Sequence, residues 1–347
     1  QGAQCFLTYS SINTRRWFER REERPAELLA HDFLPLDRPT SAYRLLGLIQ
    51  PSRIVWVSYD LWPNLVWAAS RRGIPQLLIS GIVHASSQRN KGRLTRLFYR
   101  SIYRCLEGMY MVSEADRDRI ARVVPEHPGL SVMGDTRFDS VLERRDQLSE
   151  PVWPDGFGEG TLLVAGSTWP RDEECIFPIF KEALQDFPEL QLVLVPHEPT
   201  GEHLKNAEEF FTEFPMIRWT RREQSMPGLR IILIDRIGLL AGLYRGADLA
   251  YVGAGFTTGV HNTMEPASMG LPVFFGPKYD NAIEAVEMVK HGTALSIRDS
   301  DEFRRLLIPL LENPESAKEL GLQARDYIES MAGTSERCVG SILQDLV

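Results

Sequence analysis

The chain has 347 residues, of which 43% are hydrophobic and 25% charged, and a formal net charge of −8. That length predicts two domains of ordinary size, and the composition excludes a disordered chain. The acidic balance argues against a general nucleic-acid binder, and no apolar run reaches the roughly 18 residues of a membrane-spanning helix.

Short apolar runs alternate with helix-length amphipathic segments almost throughout. In chain order, strands are predicted at 5–10, 54–59, 76–80, 108–113 and 130–133. A second series follows at 161–165, 191–195, 230–234, 248–252, 272–275 and 294–297. Continuous apolar strands separated by helices imply parallel sheets covered on both faces, an α/β fold of two Rossmann-type domains. Between the two series, 150–160 (EPVWPDGFGEG) is rich in proline and glycine and reads as a linker. The predicted domains are therefore 1–149 and 161–332, with a helix at 333–347 packing back on the first. Ligands are expected in a cleft at the carboxyl ends of the strands. The chain opens at Gln1 inside a strand pattern, so an N-terminal piece is expected to precede it. Cys5, Cys105, Cys175 and Cys338 form no C-x-x-C pair and predict free thiols of a reducing compartment, with no metal site.

The most informative segment is DLAYVGAGFTTGVHNTMEPASMGLPVFFGP, residues 248–277. A strand runs into a loop holding Gly253, Gly255 and Gly259, and a helix is predicted to begin near His261 or Asn262. Glycines allow close backbone approach and a helix N-terminus offers unpaired amides, so a phosphate is the expected guest. Glu265, three residues after Asn262, is placed to accept hydrogen bonds from a ribose diol; equally, Asn262 and Glu265 form a capping box. Strand 161–165 runs into Gly166-Ser167-Thr168-Trp169-Pro170, a turn with available hydroxyls or a simple helix cap. His197, after another strand, is by itself a structural histidine as readily as a ligand contact.

These motifs resemble those of the lipid A Kdo transferases, whose signature has the form ADIAFVGG…GGHN..EP…G.PV..GP. GSTWP..EE at 166–174 resembles the family's GST motif. Tyr59-Asp60-Leu61-Trp62-Pro63-Asn64-Leu65 with Arg71-Arg72-Gly73-Ile74-Pro75 resembles its E.ELWPNL…RRGIP, and Gly134 to Asp139 (GDTRFD) its turn before the second domain. Val260 replaces one glycine of GGHN, Ala254 one of the pair after the strand, and His197-Glu198 stands where many members carry Arg-His. The resemblance covers nearly the whole chain.

It implies a GT-B-like glycosyltransferase moving Kdo from CMP-Kdo to a lipid A precursor with inversion, needing no metal or cofactor. It implies donor contacts at Gly166, Ser167, Thr168, His197, Ile237, Gly238, Gly253, Gly255, Gly259, Asn262 and Glu265. Arg137 is expected to meet donor phosphate or carboxylate, or to pair with Asp139 or another acid. The family's catalytic base is a Glu in an S.GE motif, which by the resemblance precedes residue 1. Asp60, at a strand end, is the remaining candidate in the cleft, or a helix cap.

From Arg89 to Arg104 there are six basic residues and no acidic one. Arg96, Arg100 and Arg104 recur at i, i+4, i+8 beside Leu94, Leu97 and Phe98, a pattern suited to an anionic membrane surface or to lipid phosphates, and also to a solvated helix. The expected location is the cytoplasmic face of the inner membrane. Alternatives are another nucleotide-sugar transferase or epimerase using UDP or GDP donors, and a non-catalytic sugar-nucleotide or glycolipid binder.

Overall fold

The structure, a computed structural model, describes residues 4–19, 25–83, 87, 92–224 and 226–343. By its contacts the chain divides into two units: Gln1–Asp135 with Thr334–Val347, and Thr136–Gly333.

In the first unit the order is β1 (Cys5–Tyr9), α1 (Ile12–Glu19), β2 (Leu28–Phe33), α2 (Pro39–Ile49), β3 (Ile54–Val57), α3 (Pro63–Arg71), β4 (Gln76–Gly81), α4 (Arg93–Tyr103), β5 (Gly108–Met111), α5 (Glu114–Ala121) and β6 (Leu130–Val132). β1 pairs with β2, and β3-β4-β5-β6 form a second sheet; all pairs are parallel. Trp56, Leu78, Met109 and Met111 of that sheet pack on Leu46, Leu65 and Ile102 of its helices. The buried Gln76 is satisfied from both ends: its Oε1 accepts from Trp56 Nε1 at 3.1 Å and its Nε2 donates to the Val66 carbonyl at 3.1 Å.

The second unit comprises α6 (Thr136–Gln147), β7 (Leu162–Thr168), α7 (Pro170–Asp186), β8 (Gln191–Pro196), α8 (Gly201–Phe210), β9 (Met216–Arg218), β10 (Ile231–Leu233), α9 (Leu240–Leu243), β11 (Leu249–Val252), α10 (Met264–Ser268), β12 (Val273–Phe275), α11 (Ile283–Lys290), β13 (Leu295–Ser296), α12 (Ser300–Glu312) and α13 (Pro314–Ser330). Its seven strands are all parallel, in the order β13-β12-β11-β7-β8-β10-β9. Because side chains alternate along a strand, Leu163, Ala165, Leu192 and Leu194 enter one core with Phe180 and Phe303. Leu162, Val164 and Val193 enter the opposite one with Tyr244. Both faces are covered, which is why the strands read as unbroken apolar runs.

The domain boundary is corrected. The segment 150–160, expected to be a linker, is packed into the second unit. Phe157 is buried, Trp153 lies edge-on to Trp219, and the amide of Gly158 donates to Gln191 Oε1 at 2.6 Å. Helix α6, expected in the first domain, belongs to the second unit: Phe138 and Val141 sit in a core with Met264 and Phe275. The terminal helix α14 (Thr334–Leu343) groups with the first unit, where Arg53 donates to the Ile342 carbonyl and Thr334 Oγ1 to the Met133 carbonyl.

Candidate functional site

The strand order of the second unit reverses between β7 and β11: the chain builds outward through β8, then returns to the other side of β7. Parallel sheets bind ligands beyond the carboxyl ends of the strands at such a point. Here the loops leaving β7 and β11 are joined by one carboxylate. Asp172 Oδ2 accepts from the amides of Ala254 (2.8 Å) and Trp169 (3.0 Å); Oδ1 accepts from Tyr251 Oη (3.0 Å) and the Phe256 amide (3.4 Å). Burial pushes this carboxyl above the usual range despite four donors.

That arrangement revises the expected phosphate cradle. The Ala254 and Phe256 amides already serve Asp172, and the amides of Gly259 and His261 donate to the carbonyls of Ala254 and Gly253. The glycines are required by close backbone packing: a Cβ on Gly253 would lie 2.0 Å from the Ser167 carbonyl oxygen, and one on Gly255 2.5 Å from the Gly276 nitrogen. Gly259, at φ +120°, faces the Asn281 side chain, and Gly166 faces the Tyr244 hydroxyl. The helix begins at Met264, later than expected, and spans only five residues. So short a helix has little macrodipole to offer an anion.

A cavity of about 420 Å³ lies beside this loop, entirely within the second unit. One wall is His261, Asn262 and Glu265; the other is Arg137, Ser140 and Arg144 of α6. Arg137 and Arg144 are seven residues apart, two helical turns, and so share a face about 10 Å long. Each meets a carboxylate. Arg144 Nη1 is 3.1 Å from Glu265 Oε1, and Arg137 Nη2 is 3.2 Å from Glu284 Oε2. The carboxylates are sunk, with side chains 16% and 3% exposed, while the arginines are 58% and 45% exposed. Burial raises the Glu265 carboxyl above its usual range, opposed by Arg144 and by a hydrogen bond from Asn262. Asn262 Oδ1 also accepts from the Met264 amide at 3.0 Å, but the N-cap of α10 is Thr263, without a side-chain cap bond, so the capping-box alternative does not form.

His261, which sequence reasoning passed over, ends a column of rings. Trp169 stacks on His197 (centroids 4.7 Å apart, 22° between planes) and His197 on His261 (4.6 Å, 12°). Trp169 Nε1 donates to His261 Nε2 at 3.3 Å, which leaves the proton of a neutral ring on Nδ1. Burial and the neighbouring His197 lower the His261 value and favour that neutral form.

Thr168 is corrected as a ligand hydroxyl: it is buried, and its Oγ1 donates to Glu173 Oε1 at 2.7 Å. Glu173 also meets His203 Nε2 at 2.8 Å, and His203 Nδ1 lies 3.1 Å from the Glu198 carbonyl. Ser167 is half-buried in a left-handed conformation at φ 54°. Ile237 is 75% exposed and Gly238, at φ +96°, has open space around it; neither lines the cavity. In the first unit, Asp60 is exposed just beyond β3, and its capping alternative is excluded. The α3 amides of Asn64 and Leu65 donate to Asp37 instead, both at 3.1 Å. Arg96, Leu94, Leu97, Phe98 and Arg104 are exposed along and just beyond α4, and Arg100 is half-buried. Arg89 and Lys91, at the start of the basic stretch, lie outside the described residues.

Residues 3–140 match the family model of the 3-deoxy-D-manno-octulosonic-acid transferases (kdotransferases). The 3-deoxy-D-manno-octulosonic acid transferase of Haemophilus influenzae is 25% identical over 315 residues, 88% of this chain and 73% of that protein. The transferase of the same name from Chlamydophila psittaci is 27% identical over 290 residues, 81% of this chain and 65% of that protein. Over most of its length the chain is therefore similar to the Kdo transferases. A solved UDP-GlcNAc 2-epimerase from Neisseria meningitidis, bound to UDP-GlcNAc, superposes with a TM-score of 0.64 at 12% identity, covering 99% of this chain and 92% of that one. At that identity the likeness speaks for the fold alone, which is GT-B-like. The alignments with its relatives run well beyond the first unit, so the cavity falls within the chain's shared part.

Proposed function

We propose that the chain is a glycosyltransferase of lipopolysaccharide biosynthesis that moves Kdo from CMP-Kdo to a lipid A precursor. The cavity of the second unit is its nucleotide site. The observation that carries the reading is the facing of Asn262 and Glu265 by Arg137 and Arg144 across one cavity of about 420 Å³, a size suited to a small ligand. A CMP-sugar brings a ribose diol, a phosphate and a sugar carboxylate. Glu265 offers two acceptor oxygens to the diol, and the two guanidiniums match the two anionic groups.

In the reaction an acceptor hydroxyl attacks the anomeric carbon, the bond from that carbon to the phosphate oxygen breaks, and CMP leaves with inversion. Charge grows on the departing phosphate. Guanidiniums on a folded helix stabilise it without waiting for solvent to reorganise. His261, neutral and held by Trp169, supplies one further N–H at the cavity wall. Ser167, His197, Gly253, Gly255 and Gly259 do not line the cavity and act through the packing of the loops beside it. The proton of the attacking hydroxyl goes to a base outside this cavity. The donor is consumed as a substrate, and the proposal includes no resident cofactor.

The acceptor is a lipid, and α4 suits its surroundings. Exposed Leu94, Leu97 and Phe98 lie among Arg93, Arg96 and Arg104, the composition of a helix lying on an anionic leaflet. The proposed location is the cytoplasmic face of the inner membrane; among the described residues no helix is long and apolar enough to cross one. Calorimetric titration with CMP, UDP and GDP tests the donor assignment. CMP should bind most tightly, and a preference for UDP or GDP would move the chain to another class of sugar-nucleotide enzyme.

A further inference from the structure

Glu265 and Arg144 form an ion pair of unequal partners. Glu265 sits on a five-residue helix whose Met264, Pro266, Ala267 and Ser268 are all buried, so its carboxylate cannot relocate. Arg144 is on α6, whose backbone is anchored by buried Phe138 and Val141 and by Arg145 bonded to the Ser268 carbonyl and to Glu329. The Arg144 side chain is 58% exposed, and among the described residues Glu265 is the acceptor its guanidinium meets. One partner is fixed and the other can swing.

We propose that Arg144 is a specificity-determining residue that changes partners on binding, covering Glu265 in this structure and passing to the nucleotide's phosphate once the ribose hydroxyls take Glu265. The inference rests on the reading of the cavity as a CMP site. Its physical basis is that a buried carboxylate cannot be stripped of its partner without cost, so the diol must replace the guanidinium rather than merely displace it. The released guanidinium then gains a charge-assisted, two-pronged contact that a phosphate offers and a ribose does not. A nucleoside without phosphate therefore uncovers Glu265 with nothing to re-engage Arg144, whereas the monophosphate satisfies both groups. Arg144 would thus set the preference for CMP over cytidine.

The test is calorimetric titration of CMP and of cytidine into the wild type, Arg144→Gln and Arg144→Lys. Arg144→Gln should lower the CMP-to-cytidine affinity ratio at least about ten-fold, mainly by weakening CMP, with cytidine unchanged or tighter. Arg144→Lys, which keeps the charge but not the fork, should restore part of the ratio. A ratio in Arg144→Gln within about two-fold of the wild type overturns the proposal, because a merely structural ion pair would affect both ligands alike. Wild-type protein that binds neither CMP nor cytidine would instead overturn the underlying site assignment, so the two failures are distinguishable.

Discussion

The carboxylate of Asp172 accepts a 2.8 Å hydrogen bond from the amide of Ala254, eighty-two residues further along the chain. This contact fastens the loop after β11 to the start of α7 and fills, with the protein's own anion, amides that would otherwise suit a phosphate. Under the proposed function, the donor's negative charge falls to the arginines of α6. The glycines of the family motif then act as spacers for backbone-on-backbone packing.

That reading predicts the effect of adding one methyl group. Gly253→Ala puts a Cβ 2.0 Å from the Ser167 carbonyl oxygen and forces the two loops apart. Gly242→Ala, in α9 with nothing within 4 Å, is the control. The first should destabilise by about 2 kcal/mol or more and the second should be neutral or mildly stabilising, measured as the shift in urea midpoint. Equal midpoints for the two variants would remove the packing explanation.

The pair His203–Glu173 gives a pH signature. Both ring nitrogens of His203 face acceptors, the Glu173 carboxylate and the Glu198 carbonyl, and the Glu198 charge adds to their pull. The imidazolium is therefore favoured, chiefly by the hydrogen bond to Glu173, and its folded value lies above 6.5. A value raised on folding contributes stability that is fully present below the unfolded value and fades as pH climbs through the folded one. Wild type should exceed His203→Gln in stability by more at about pH 6 than at about pH 9. A gap that stays constant, or widens toward alkaline pH, contradicts the assigned charge state.

On α4, Arg96→Glu with Arg100→Glu should reduce association with vesicles containing anionic lipid, and added salt should weaken the wild-type association in the same direction. Co-sedimentation reads both effects. Undiminished binding of the double variant would mean that the membrane face lies elsewhere.

Much of this architecture was legible because parallel strands covered on both faces leave continuous apolar runs. β7, β8 and β11 could be read within a few residues of their ends. β2 (LLAHDF) escaped notice because its His and Asp interrupt the run, and β9 (MIR) because three residues on a sheet edge carry no periodicity. Proline and glycine between 150 and 160 were misread as a linker; there the glycines let the chain turn against the Glu189 carbonyl and Trp153 while Phe157 is buried. In the site, Asn262 and Glu265 were visible as a spacing on one short segment. Arg144, Glu284 and Asp172 were not, because their partners lie far away in the chain. The seven-residue interval from Arg137 to Arg144 was the available signal for a second wall.

The most direct test of the central claim is the affinity of Glu265→Ala for CMP, measured calorimetrically beside the wild type. Loss of a buried hydrogen-bonding carboxylate should weaken binding by at least about 1 kcal/mol, roughly five-fold or more. A variant that folds normally and binds CMP as tightly as the wild type would show that the nucleotide's ribose is held elsewhere.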